Sequence, residues 1–289
     1  MKAMSGLIPA SVTPFDKDGA FDPAALETVM RRNINEGACG FFSCGTSAEC
    51  FLLSESERFA VFETACSFRN EAKIIAHVGA ISTDEAIRYA KAAKQYGAQY
   101  ISSTPPFYYG FTGTQIAQFF HDIADAAEMP VMIYNFPAYT GKSFDLSNPD
   151  ICKLLRSGSV WGIKHTDKDL SLLERIRNLN PELVIMNGYD DTMVAGLALG
   201  ADGSVGSMFN VMLPHFMKIY NEYHAGEKEK ALELQVKANN IMEVFFKVGL
   251  IAAIKYTLQL QGINAGIPRK PLTPLTPEQM KMVNDALEL

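Results

Sequence analysis

The stretch KIIAHVGAISTDEAIRYAKAAKQYG, residues 73–97, decides the fold. Its first seven residues form a short, mostly apolar run, as in a strand covered on both faces. Residues 82–97 form an amphipathic helical stretch, opened by a Ser82-x-x-Glu85 capping box. Together they make one strand–helix unit, and the rest of the chain repeats it.

On the N-terminal side, LIPASVTP (7–14) reads as a strand and DPAALETVMRRNINEG (22–37) as a helix with Asp22 and Gly37 at its ends. CGFFSCG (39–45) and SESERFAVFETACSFR (54–69) form the second pair. On the C-terminal side, QYISSTP (99–105) precedes a helix near 114–127, and PVMIYN (130–135) precedes one near 147–157. VWGIKH (160–165) leads to LSLLERIRNL (170–179), LVIMNG (183–188) to DTMVAGLALG (191–200), and DGSVGS (202–207) closes the series. Such repetition predicts a parallel sheet covered by helices, closed as a (β/α)8 TIM barrel. No GxGxxG follows the first strand and no GxxxxGK[ST] occurs anywhere, so an open nucleotide-binding sheet lacks its main support.

After residue 212 the pattern is helical, with a break at HAGE (224–227), then a Pro-rich connector and a last helix. The expected division is a barrel core over 1–212, its eighth helix continuing to about 224, and a C-terminal helical extension over 225–289 packed on the barrel. The surplus apolar helix faces serve either as intrachain cover or as an oligomer interface.

The chain has 289 residues, a net charge of −6 and 48% hydrophobic residues. An acidic protein of ordinary composition is not expected to bind nucleic acid or an anionic membrane, and no apolar run reaches the length of a membrane span. Five cysteines, Cys39, Cys44, Cys50, Cys66 and Cys152, show neither a disulfide framework nor metal-ligand spacing. Reduced thiols, a cytoplasmic location and no metal or cofactor are the expectation.

In a barrel of this kind chemistry sits where strands end. The strand ends bring Gly45, Thr46 and Ser47; Thr104, Pro105 and the run PFYYGF; Tyr134 and Asn135; Lys164, His165 and Thr166; Gly188, Tyr189, Asp190 and Asp191; and Ser207. Lys164 stands out because a charged amine ends an apolar run. Desolvation there lowers its pKa, and the free amine can attack a ketone to form a Schiff base. Its bland alternative is an amine that reaches solvent or pairs with Asp167 or Asp169. Tyr134 is either a proton-transfer phenol or a buried core cap. Thr46 and Ser47 either hold a carboxylate or merely form a turn and helix cap. Asp190 and Asp191 suit either polyol hydroxyls or a helix N-terminus. His165 should point away from the lysine, and His77 fits a satisfied core histidine.

Taken in order, VTPFD (12–16), GTSAE (45–49), LSESER (53–58), IAHVG (75–79), PPFYYGF (105–111), YNFPAYTG (134–141), GIKHT (162–166) and NGYDD…GADGSVGS (187–207) run along essentially the whole chain. Together they resemble the pyruvate-dependent class I aldolase family that contains N-acetylneuraminate lyase and dihydrodipicolinate synthase. The resemblance implies that Lys164 forms the Schiff base with a 2-keto acid and that Tyr134 is the acid/base phenol. It implies a hydroxyl relay through Thr46 and Tyr108, the latter lent by a neighbouring subunit of a homotetramer. Thr46 and Ser47 would hold the substrate carboxylate, and Thr166, Gly188, Asp190, Asp191 and Ser207 the sugar-derived chain.

Within the family, NGYDD and GIKHT resemble the sialic acid lyases, implying reversible cleavage of N-acetylneuraminate to pyruvate and N-acetylmannosamine. Dihydrodipicolinate synthases carry an arginine where this chain has Tyr139. The other readings are an aldolase for a different 2-keto-3-deoxy sugar acid, a dihydrodipicolinate synthase, or a non-catalytic keto-acid binder. Two departures bear on the choice. Ala48 replaces a family glycine and, where that glycine adopts positive φ, would strain the carboxylate loop or reshape it. Asp191 replaces a longer glutamate.

Overall fold

The computed structural model describes residues 4–142 and 144–288; residues 1–3 and Leu289, the outer limits of the predicted barrel and extension, lie outside it. Eight strands alternate with helices: β1 (Gly6–Pro9), α1 (Pro23–Asn35), β2 (Gly40–Ser43), α2 (Glu55–Cys66), β3 (Lys73–His77), α3 (Thr83–Tyr96), β4 (Tyr100–Ser103), α4 (Gly113–Ala127) and β5 (Val131–Asn135). A single-turn α5 (Pro137–Thr140), α6 (Pro149–Arg156), β6 (Val160–His165), α7 (Leu170–Leu179), β7 (Val184–Asn187), α8 (Met193–Ala198) and β8 (Gly203–Gly206) follow. All neighbouring pairs run parallel in the order β1-β8-β7-β6-β5-β4-β3-β2. An Ala10–Phe42 bridge joins β1 to β2 and closes the (β/α)8 barrel.

Four further helices follow: α9 (Phe209–His224), α10 (Lys228–Val248), α11 (Leu250–Leu260) and α12 (Pro277–Leu287). None of the described helices is long and apolar enough to cross a membrane.

Strand alternation sorts the core into layers. Phe41, Ile74, Ile101, Ile133, Ile163 and Ile185 face the helices. Their neighbours Phe42, Ile75, Met132, Tyr134 and Met186 fill the barrel interior. A third apolar cluster joins α9 to α10, α11 and α12 through residues such as Phe216, Phe245 and Ile254.

The helix starts follow their caps. Asp22 accepts from the Ala25 amide at 3.0 Å, with Pro23 at the first helical position. Ser82 caps α3 by accepting from the Glu85 amide at 3.2 Å, but the predicted capping box is only half made. Glu85 instead accepts the Tyr89 hydroxyl at 2.8 Å. Complete boxes occur at Ser54/Glu57, Thr112/Gln115 and Thr276/Gln279.

The predicted first strand, 7–14, is shorter in the structure. Past the Ala10 bridge the chain leaves the ladder, and Thr13 Oγ1 donates to the Ala48 carbonyl at 2.8 Å instead. The C-terminal helical run also breaks at Gly249 (φ +109°), where α10 ends and α11 starts. Its positive φ suits glycine, and the two helices meet there.

Candidate active site

The C-terminal ends of β2, β5, β6, β7 and β8 open into a cavity of about 470 Å3. Its polar lining includes Thr46, Ser47, Tyr134, Lys164, Thr166, Asp190 and Ser207, with Gly188 beside them. Most of the residues expected at the rim are therefore brought together.

Lys164 is buried, and Ile163 before it faces the helices. The strand's two-residue period thus turns the lysine into the barrel, paired in register with Tyr134 on β5. Its Nζ stands 3.9 Å from the centre of the Tyr134 ring and 4.3 Å from that of Phe42. It makes no hydrogen bond or ion pair with the described residues, so the alternative of a pairing with Asp167 or Asp169 does not hold. Burial lowers its pKa to about 7, against the opposing attraction of Asp190. An ordinary lysine would be almost wholly protonated at neutral pH; burial shifts this one toward the free amine.

Tyr134 is also buried, and its phenol oxygen lies 3.3 Å from Thr46 Oγ1. Burial raises its pKa, while the Thr46 and Thr166 hydroxyls work in the other direction. The resting phenol is therefore protonated. Thr46 and Ser47 begin a short 3-10 turn, Thr46–Ala48, which follows Gly45. The turn's own bonds run from the Ala48 and Glu49 amides, leaving those of Thr46 and Ser47 outside them. Ser47 Oγ and Ser207 Oγ are 2.7 Å apart, joining the loops after β2 and β8.

Ala48 does not carry the strain expected of it. The left-handed residues of this loop are Cys44 and Glu49, both at φ +59°. Ala48 lies in the turn between them, so its methyl group meets no backbone penalty.

Asp190 is buried and has two neighbours through one oxygen. Its Oδ2 accepts from the Ser207 and Met208 amides at 3.0 and 3.1 Å, whereas Oδ1 has no hydrogen-bond partner among the described residues. Burial pushes its pKa up to about 7, opposed by the Met208 amide and by Lys164. Asp190 therefore ties β7 to β8, and its second carboxylate oxygen is buried without a hydrogen-bond partner among the described residues. Asp191, by contrast, is not part of the cavity lining. Its carbonyl is held at 3.0 Å by Asn239 of α10, and the Asp190 carbonyl at 2.9 Å by Gln235.

Tyr108 is likewise absent from the lining. It is 84% exposed, has φ +76° and stacks edge-on against Tyr109. His165 accepts from Asn135 Nδ2 at 3.2 Å and donates from Nε2 to the Asp169 carbonyl at 2.9 Å, a supporting role. His77 donates from Nδ1 to the Cys44 carbonyl at 3.1 Å and accepts the Thr104 amide at 3.4 Å, as a satisfied core histidine.

Two parts of the wall were not anticipated. Phe136 stacks between Tyr134 and Tyr139, with ring centres 5.7 and 4.3 Å away, and Tyr139 lines the mouth at 71% exposure. The outer wall comes from the C-terminal region: Phe246, Val248, Leu250 and Ile251 at the α10–α11 junction, and Pro271 and Leu272 of the connector. A glycine interrupting a long apolar helix, Gly249, was the sequence signal for that junction.

A model of the dihydrodipicolinate synthetase family matches residues 3–289. The N-acetylneuraminate lyase of Rhizobium meliloti is 34% identical over 285 residues, 98% of this chain and 94% of that protein. Among solved structures, CdNal of Clostridium difficile in complex with mannosamine superposes with a TM-score of 0.95 at 31% identity, covering 99% of each chain. The N-acetylneuraminate lyase of Fusobacterium nucleatum complexed with pyruvate gives 0.92 at 29% identity, over 99% of this chain and 98% of that one.

Proposed function

The chain belongs to the dihydrodipicolinate synthetase family, and from that premise we propose that it is a Schiff-base-forming class I aldolase that reversibly cleaves N-acetylneuraminate to pyruvate and N-acetylmannosamine. The observation that carries this reading is Lys164: a buried amine with a pKa lowered to about 7, opening on a cavity beside a phenol.

The amine attacks the C2 carbonyl of the keto acid; the Tyr134 phenol gives its proton to the departing hydroxyl, so that water leaves and a protonated imine forms beside the phenolate. Removal of the C4 hydroxyl proton then lets the C3–C4 bond break. Its electron pair moves toward the imine to give an enamine, and the aldehyde sugar departs. Protonation of the enamine at C3 and hydrolysis return pyruvate and the free lysine. Tyr134 carries the C4 proton, supported by Thr46. Its phenol resists ionisation at rest, and the positive imine forming next to the ring makes loss of its proton easier. Thr46 and Ser47 hold the carboxylate through hydroxyls and turn amides, while Thr166, Gly188, Asp190 and Ser207 face the hydroxylated chain.

The test is borohydride reduction with pyruvate, expected to leave an adduct on Lys164, together with release of N-acetylmannosamine from N-acetylneuraminate. Active, folded protein with no adduct would sink the Schiff-base mechanism. A second reading, an aldolase for another 2-keto-3-deoxy sugar acid, is favoured by Asp191 standing outside the cavity lining and by the apolar outer wall. Another aldehyde released in place of N-acetylmannosamine would select it. Tyr139 in place of an arginine leaves the synthase reading without its carboxylate partner. The non-catalytic reading loses its motive, since Ala48 is unstrained.

The same proposal includes a cytoplasmic homotetramer in which Tyr108 completes a neighbour's relay. Its support is a phenol exposed away from its own cavity and five free cysteines. A monomer by light scattering would remove the shared relay.

A further inference from the structure

Behind the cavity lies a buried ion pair that the mechanism above does not use. Glu49 Oε1 is 2.7 Å from Lys255 Nζ, with side-chain exposures of 0% and 1%. Glu49 Oε2 accepts the Arg269 amide at 2.6 Å. Glu49 itself sits at φ +59°, a conformation a non-glycine residue rarely holds without support. Its amide donates to the Thr46 carbonyl at 3.0 Å, so it closes the turn that presents Thr46 and Ser47.

The partners lead to α11 and the connector. Lys255 lies on α11 and donates to the Ile267 carbonyl at 3.3 Å, with Nζ 4.0 Å from the centre of the Phe15 ring. The Arg269 guanidinium stacks on the same ring at 4.3 Å and bonds Glu57 at 2.7 Å. Pro268 and Pro271, on either side of the residue whose amide Glu49 holds, line the cavity. One carboxylate thus joins the turn to the connector, both of which line the cavity. Burial lowers the Lys255 pKa to about 8, and Glu49 opposes that shift.

We propose that Glu49 and Lys255 are positioning residues that fix the Thr46–Ser47 turn relative to the connector, and so set the affinity of the site for the keto-acid carboxylate. The proposal rests on the lyase reading, because it takes that turn as the carboxylate site. A buried pair alone does not argue stability, since a shape-matched neutral pair is often as stable. The placement is what argues a role: the pair acts through a strained residue next to two lining residues.

Removing one charge leaves the other buried and unpaired and endangers the fold, so both are removed together. Glu49→Gln/Lys255→Met keeps an acceptor for the Arg269 amide, and Glu49→Ala/Lys255→Met keeps none. Borohydride trapping on Lys164 is measured against pyruvate concentration. The half-saturating concentration should rise about threefold in the first variant and about tenfold or more in the second, with the maximal extent of trapping unchanged. Wild-type half-saturation in both variants would overturn the proposal. So would a fall in maximal extent alone, the mark of a merely structural role. If the alanine variant does not fold, the glutamine variant decides alone. A wild type that pyruvate never protects or labels overturns the lyase reading, and this one with it; a labelled wild type with unmoved variants overturns only this one.

Discussion

Lys164 owes its chemistry to its surroundings rather than to its type. Burial lowers its pKa to about 7, and Asp190 pulls it back up. In the proposed mechanism the free amine is the nucleophile, so kcat/KM should fall as pH drops through about 7. Asp190 is itself raised to about 7, so the acid limb belongs to the two groups together. Asp190→Asn keeps an oxygen for the Ser207 and Met208 amides but removes the charge that favours the ammonium. The sign follows: without that carboxylate the Lys164 pKa falls further, and the acid limb moves to lower pH. A pH profile of pyruvate trapping checks this; a limb that stays or moves up would show that Asp190 does not bear on the lysine. Lys164 was legible because a charge ending an apolar run is conspicuous. Glu49 and Lys255 were not: a glutamate in a turn and a lysine in a helix look like ordinary surface residues until the fold buries both.

At the scale of elements, register puts the groups in place. Tyr134 pairs with Lys164, and a one-residue slip of β6 would turn the amine toward the helices. The strand–helix order was legible because apolar runs and caps recur along the chain, and the α7 limits match those expected. The ends were less so. Glu85 prefers a local tyrosine to its cap, and the first strand ends where a side chain takes over the bonding. Nor could spacing reveal that Asp191 would be held against α10 through its carbonyl instead of joining the cavity. The loop after β7 illustrates how closely two elements meet. A Cβ at Gly188 would overlap Thr166 Oγ1. Gly188→Ala should therefore displace that hydroxyl, raising KM for the nine-carbon substrate severalfold while leaving the pyruvate-trapping curve unmoved. Equal changes in both measurements would mean that this loop serves the pyruvate end instead.

For the whole molecule, the question is whether residues 225–289 are an accessory. We propose that they are an extension of the barrel, not a separate unit, because they share an apolar cluster with α9 and line the cavity. Phe216 of α9 shares one apolar cluster with Phe245 and Ile254 of α10 and α11. Gln235 and Asn239 hold the loop after β7, Lys255 pairs with the loop after β2, and Leu250 and Ile251 form part of the cavity wall. Deleting the segment would uncover the apolar α9 face, at about 1.5–3 kcal/mol for each large side chain exposed, and would strip Glu49 of both its partners. Against a typical stability of about 5–15 kcal/mol, the loss of several such side chains should leave no stable barrel. A chain ending at residue 224 is thus expected to lack a cooperative thermal transition and to give no pyruvate adduct, and residues 225–289 alone should not melt cooperatively either. A truncated chain that melts sharply and still traps pyruvate on Lys164 would show instead that the barrel stands alone and that the extension tunes, rather than builds, the site.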